Sequence, residues 1–302
     1  MTRRRQQHEE SDHESDYEDV SSENSGPENE GSENNSDNGF EVTGRRKALF
    51  VGINYDYPGS DYTEEDSLFL MDGDDASEDQ LPTKENILNG MRWLAEDAQP
   101  GDQLFFHYSG RTYSFFSHAR ILINKRQKDG TYEDDEDGDE ADGRDEALCP
   151  LDGPEVGPLL DDEIHETLAA PLPAGVRLTV VIDACHSGTV MDLPYLYDTQ
   201  SGSLEINASN RKSAKARTTR ADIISISGCK DSETSTDAEI DDEVTGAMSY
   251  ALKRVLEENM GSDLSYSDLL IKMRRILRKG KYDQVPQLTA GRQLDMEDNF
   301  CI

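Results

Sequence analysis

Positive charge is scarce in this chain of 302 residues, and long apolar runs are missing from it. Thirty Lys and Arg stand against 64 Asp and Glu, a net charge of -34. Phosphate contacts need clustered Lys and Arg, so direct nucleic-acid binding is not expected; cations and basic peptides are the partners such a surface suits. No run of 18 apolar residues exists to cross a membrane, and the basic start "MTRRR" leads into no apolar stretch of the kind a signal peptide needs. A soluble monomer, cytoplasmic or nuclear, is the expectation. The four cysteines (Cys149, Cys185, Cys229, Cys301) are scattered and lack C-x-x-C spacing, so reduced thiols are the default.

Hydrophobic residues make up only 34% of the chain, too few for every segment to pack into a core. The shortage concentrates at the start. "QQHEESDHESDYEDVSSENSGPENEGSENNSDNGFE" is acidic and almost free of aliphatic side chains, and cannot bury enough apolar surface to offset its chain entropy. Residues 1–44 therefore read as a disordered acidic arm.

From Arg45 the texture changes. "KALFVGI", "QLFFHYSG", "RLTVVIDA" and "ADIISISGC" are short, continuously apolar runs, as expected of strands buried on both faces of a sheet. Between the first two lies "PTKENILNGMRWLAEDAQPGD", where Ile87, Met91, Leu94 and Ala98 share a helical face, Thr83 is placed to cap the start and Pro100-Gly101 to stop it. "LLDDEIHETLAAPLP" reads as a short helix with Ile164 and Leu168 inward. Two amphipathic helices follow the fourth strand, "TGAMSYALKRVLEENM" and "SYSDLLIKMRRILRKG", the second opened by a Ser265 to Asp268 cap, and "DNFCI" reads as a last strand. Strands alternating with helices predict an α/β fold, a mostly parallel central sheet with helices on both faces. The polar, basic stretch 199–220 reads as a linker between a larger part, 45–198, and a smaller one, 221–302.

In such sheets, sites form at the carboxyl ends of strands, where "HYSG" and "DACHSG" both fall. A cysteine at a strand end is ordinarily a packing group, but the small, polar "HSG" after Cys185 makes a turn that would expose its sulfur. Asp183 lies two residues earlier on the same face. A carboxylate there works against thiolate formation, because negative charge raises a thiol's pKa. It is better suited to the floor of a pocket for Arg or Lys side chains.

Taken together, "KALFVGINY", "PTKENILNGMRWLAEDAQPGDQLFFHYSG", "VRLTVVIDACHSGTVMDLPY", "ISISGCKDSETSTDA" and "TGAMSYAL" resemble a metacaspase of the fungal type I kind, within the caspase-like cysteine peptidases. The resemblance covers most of residues 45–302. It implies a caspase-like sandwich, a Cys/His dyad that cuts polypeptides after Arg or Lys, activation by Ca2+, and self-cleavage between the larger and smaller parts. By position it makes Cys185 the nucleophile and Asp183 the specificity acid. The calcium aspartates fall on Asp145, Asp161, Asp162 and Asp192. Without the resemblance these four would read as solvated surface acids, since no EF-hand spacing is present.

The pattern breaks at one functional place. Where the family continues "HYSG" into His-Gly and uses that histidine as the base, this chain has Arg111 and Thr112. His107 lies about 13 Å back along the strand and reads as a core histidine. His186 adjoins the nucleophile but faces away from it, and His165 sits on a remote helix. His118, in "SFFSHARILINKR", is the candidate nearest the gap. That segment has no family counterpart, and a helix expected after "GINYDY" is also missing. Two readings follow: inserted text, such as a retained intron, that displaced the His-Gly pair; or a caspase-fold protein that has lost catalysis and acts through interactions. A passive calcium-binding module would leave the "DACHSG" turn unexplained.

Overall fold

The computed structural model describes residues 42–52, 62–73, 75–110, 112–114, 146–184, 190–191, 193–198, 203–206, 219–228, 237–240, 243–282 and 284–302. All but the last three residues of the acidic arm, most of the basic linker, residues 111 and 115–145 after "HYSG", and residues 185–189 after "DA" fall outside them.

Thirteen strands occur in the described residues. In chain order they are β1 (Arg46–Val51), β2 (Ser67–Leu70), β3 (Gln103–Ser109), β4 (Thr112–Ser114), β5 (Glu146–Leu148), β6 (Leu159–Leu160), β7 (Arg177–Asp183), β8 (Tyr195–Asp198), β9 (Ser203–Ile206), β10 (Asp222–Ser227), β11 (Asp237–Ile240), β12 (Glu243–Gly246) and β13 (Gln287–Ala290). The helices that pack on the sheet are α1 (Lys84–Ala95), α2 (Asp161–Ile164), which continues as a π-helical turn over His165–Ala169, α3 (Ala247–Glu258) and α4 (Tyr266–Gly280), and one further α-helical turn spans Gly153–Val156.

Eight strands form one sheet in the order β2-β1-β3-β7-β10-β13-β8-β9. The five from β2 to β10 run parallel, and β13, β8 and β9 add antiparallel pairings at the other side. The apolar runs "LFFHY" and "LTVVI" occupy the middle, where β3 and β7 are buried along their whole length. The expected α/β architecture is therefore present, and the period-2 alternation of each strand divides its side chains between two cores. On one face Leu49, Phe106, Val180 and Ile182 meet Ile87, Met91 and Leu94 of α1 and Ile164 and Leu168 of the α2 region. On the other, Phe105, Val181, Ile224 and Ile226 meet Met248, Ala251 and Val255 of α3 and Leu269, Leu270 and Met273 of α4.

Local chemistry sets the helix starts as the sequence predicts. Thr83 Oγ1 accepts the Asn86 N–H at 3.2 Å, and Ser265 Oγ accepts the Asp268 N–H at 3.1 Å. Three expectations change, and one strand is new. The linker is not loop throughout, because Ser203–Ile206 pairs with β8 as a hairpin that extends the sheet beyond β13. "LLDDEIHETLAAPLP" is not helical from its start, since Leu159 and Leu160 join β5 in a second sheet with β4. "DNFCI" makes only one isolated bridge, Ser265 to Asn299, and buries Phe300 edge-on against Tyr266 instead of adding a strand. "SLFL" is an edge strand, β2, that four residues were too short to announce. Between β1 and β2 the described residues hold a single 3-10 turn, Glu64–Asp66. There Phe69 stacks on Phe50 at 4.9 Å and Tyr62 packs against Phe105.

His107 is fully buried in β3, as a core histidine should be, and shares a 3.0 Å hydrogen bond between its Nε2 and Ser249 Oγ of α3. Burial pushes its pKa down to about 3, so the folded protein holds it neutral. The unfolded chain takes up this proton below about pH 6.5 and the native state does not, so the stability it supports falls with pH from there down to the folded pKa. Between about pH 7.5 and about pH 5, wild type should lose about 2 kcal/mol more than His107→Gln, read by urea unfolding. Parallel curves would show that His107 titrates normally.

Candidate active site

The carboxyl ends of the parallel strands come together because their registers match: Ser109 of β3 stands opposite Asp183 of β7, and Ser227 of β10 stands opposite Ile182. The ladder bonds continue one residue past these ends. The Gly110 N–H donates to the Asp183 carbonyl at 3.3 Å, and the Gly228 N–H to the Ile182 carbonyl at 3.1 Å. Gly52, just past β1, has φ +100°, and a Cβ there would lie 1.9 Å from the Ser109 carbonyl oxygen. Only glycine fits that crossing.

Asp183 is 2% exposed. A carboxylate so far from water needs donors, and the fold supplies one from a different part of the chain: the Ser249 N–H donates to Oδ2 at 2.7 Å. Ser249 is the third residue of α3, so this N–H is one of the four that a helix start leaves without an intrahelical partner. The cap position is Gly246, which has no side chain to offer, and Asp183 takes over the task from β7. The positive end of the helix dipole lies at the same place and favours the anion. The approach is close. A Cβ on Gly246 would sit 2.0 Å from Oδ2, and one on Gly228 would sit 3.3 Å from Oδ1.

Ala184 is fully buried, and the described chain stops there until Val190. Cys185 and the adjoining His186 lie outside the described residues, as do His118, Asp145 and Asp192. The structure brings Asp183 to the expected strand end and places the expected calcium pair elsewhere on one short helix. Asp161 is buried at the start of α2, its Oδ1 accepting the Asp162 N–H at 2.8 Å, and Asp162 is exposed. The neighbouring Glu163 accepts hydrogen bonds at Oε2 from Lys84 Nζ at 2.7 Å and from the Leu160 N–H at 3.1 Å. Among the described residues no three His, Cys, Asp or Glu side chains gather as a metal site. The aspartates are hard oxygen donors of the kind calcium takes.

Sequence reasoning missed Gly246 and Ser249. A signal was present: "TGAM" puts glycine where Ser, Thr or Asp would cap a helix, a hint that the cap comes from elsewhere. Gly246→Ala should cost about 2 kcal/mol through forced displacement of the carboxylate or of the helix start, read as a lowered urea midpoint. Unchanged stability would mean that α3 can retreat freely.

Residues 58–194 match the family model described as "Metacaspase, peptidase C14 domain". Metacaspase-1 of Schizosaccharomyces pombe is 35% identical over 84% of this chain and 69% of its own length. Metacaspase-1 of Pyricularia oryzae is 36% identical over 87% of this chain and 76% of its own. The crystal structure of a Geobacter sulfurreducens protein, 23% identical, superposes with a TM-score of 0.51 over 85% of this chain and 98% of that one, a likeness of fold.

Proposed function

This chain belongs to the metacaspases, cysteine endopeptidases of the C14 class that hydrolyse polypeptides, and from that premise we propose that it uses Cys185 to cut after Arg or Lys. The observation that supports this specificity is the buried Asp183 carboxylate, held by the α3 start at the end of the strand that leads to Cys185. An ionised aspartate favours a guanidinium or ammonium by about 1.5 to 3 kcal/mol per charged hydrogen bond and repels an acidic side chain. The Cys185 sulfur attacks the scissile carbonyl and a histidine takes its proton, then delivers it to the leaving amine. Backbone N–H groups stabilise the oxyanion, and water hydrolyses the thioester. His118 is the residue we assign as base in the chain as it stands. Self-processing falls in "NRKSAKARTTR", where basic residues recur on a polar stretch after β9.

Arg111, in the place of the family's histidine, supports a second reading: a caspase-fold protein with impaired catalysis that acts through binding. One set of proteins separates the two. Replacing residues 111–126 by His-Gly-Gly should raise cleavage of Arg peptides by about 10²- to 10⁴-fold, the contribution of a placed base, and leave Asp peptides uncut. Cys185→Ala in the repaired chain should abolish the gain. If His118→Ala removes activity from the unrepaired chain, that histidine is the base; if the repaired chain folds and stays inert, the binding reading stands.

We further propose Ca2+ as the activating ion, held by Asp145, Asp161, Asp162 and Asp192. Its role is to fix the segments that carry these residues, and no chemical step passes through it. Calorimetric titration should show the affinity falling at least about tenfold when Asp161 and Asp162 are both changed to Asn. Equal affinity would remove the pair from the site.

A further inference from the structure

We propose that Ser249 and His107 are positioning residues that aim the Asp183 carboxylate at a substrate's basic side chain, a role that rests on the reading of Asp183 as the specificity acid. Ser249 is fully buried and bonded in two directions, its N–H to Asp183 Oδ2 at 2.7 Å and its Oγ to His107 Nε2 at 3.0 Å. His107 is fixed in the middle of the sheet, opposite Phe50 of β1 and Val181 of β7. It stands two residues before Ser109, which pairs with Asp183 itself. The imidazole thus ties the start of α3 to the same strands that carry the carboxylate.

That tie has a directional consequence. With Oδ2 committed to the helix, the plane of the carboxylate is set, and two glycines pass close to Oδ1: a Cβ on Gly228 would lie 3.3 Å from it and one on Gly246 3.0 Å. A pair of apolar side chains of the same shape would hold α3 on the sheet about as firmly, since a satisfied buried hydrogen bond adds little net stability over an apolar replacement. Stability therefore does not call for a serine and a histidine here, whereas fixing an N–H to within a fraction of an ångström does. Burial keeps His107 neutral, so the tie brings no second positive charge to compete with the substrate for Asp183.

The test compares the full chain's affinity for two fluorescein-labelled peptides, one ending in arginine amide and one in citrulline amide, which has the same shape without the charge. Anisotropy reads both without turnover. Wild type should prefer arginine, and Asp183→Asn should erase the preference. Ser249→Ala and His107→Leu should each lower it about tenfold while citrulline binding stays constant, and the double variant should go no lower, as two members of one tie require. Ser249→Thr, which keeps the hydroxyl, should restore it. If Asp183→Asn erases the preference and the other two leave it intact, the positioning role is wrong and the specificity reading survives. No preference in wild type, or one that survives Asp183→Asn, overturns both. An equal loss for the two peptides reduces the pair to packing and also overturns the role. Should His107→Leu not fold, Ser249→Ala against Ser249→Thr decides alone.

Discussion

The hydrogen bond from the Ser249 N–H to the Asp183 carboxylate joins an early strand to a late helix, and much of the site follows from it. An anion this deeply buried is unfavourable without a donor, and a helix start buried without a cap is unfavourable too. Each cancels the other's deficit. The arrangement then dictates its neighbours: Gly246 must lack a side chain, and α3 must begin directly over the end of β7. A helix placed by this contact lays Met248, Ala251, Leu252 and Val255 along the second core.

A second buried charge group secures the opposite end of the same strands. Asp222, at the start of β10, accepts hydrogen bonds from Arg177 at the start of β7 and from Arg292 just beyond β13, the Arg177 Nε and Arg292 Nε contacts both 2.8 Å. The Arg177 NH1 group also reaches Cys301 Sγ at 3.2 Å, and the Gln103 side chain donates to the Cys301 carbonyl at 3.1 Å. The chain's last residues are thereby fastened under β3 and β7. Removing one member of such a group leaves a buried charge uncompensated, so it constrains the register of three strands at once.

Elements that bury a whole face were legible from pattern alone. "RLTVVID" and "QLFFHYS" could be nothing but central strands, and the spacing of Ile87, Met91 and Leu94 could only be a helix against them. Elements at the edge were not. β2 and β9 are four residues each and half supported by a neighbour that sequence cannot reveal, so their pairing comes from tertiary context. The site divided in the same way. Asp183 announced itself by an acid at the end of an apolar run, whereas Ser249 is an ordinary helix residue until β7 is known to lie beneath it. His118 was reached only through its nearness in sequence to Arg111, a clue that periodicity does not carry.

The strand order has one more consequence. Reading across the sheet, β7 is followed by β10 and β13, and then by β8 and β9, so strands from beyond residue 220 are flanked on both sides by strands from before it. A single scission anywhere between β9 and β10 would sever the polypeptide without separating the pieces. Each fragment would keep its ladder bonds to the other along β7–β10 and along β13–β8, and both would share the apolar layers above and below. The nicked molecule would persist as an interlocked heterodimer, and its disassembly would require unzipping the middle of a sheet instead of peeling away an edge.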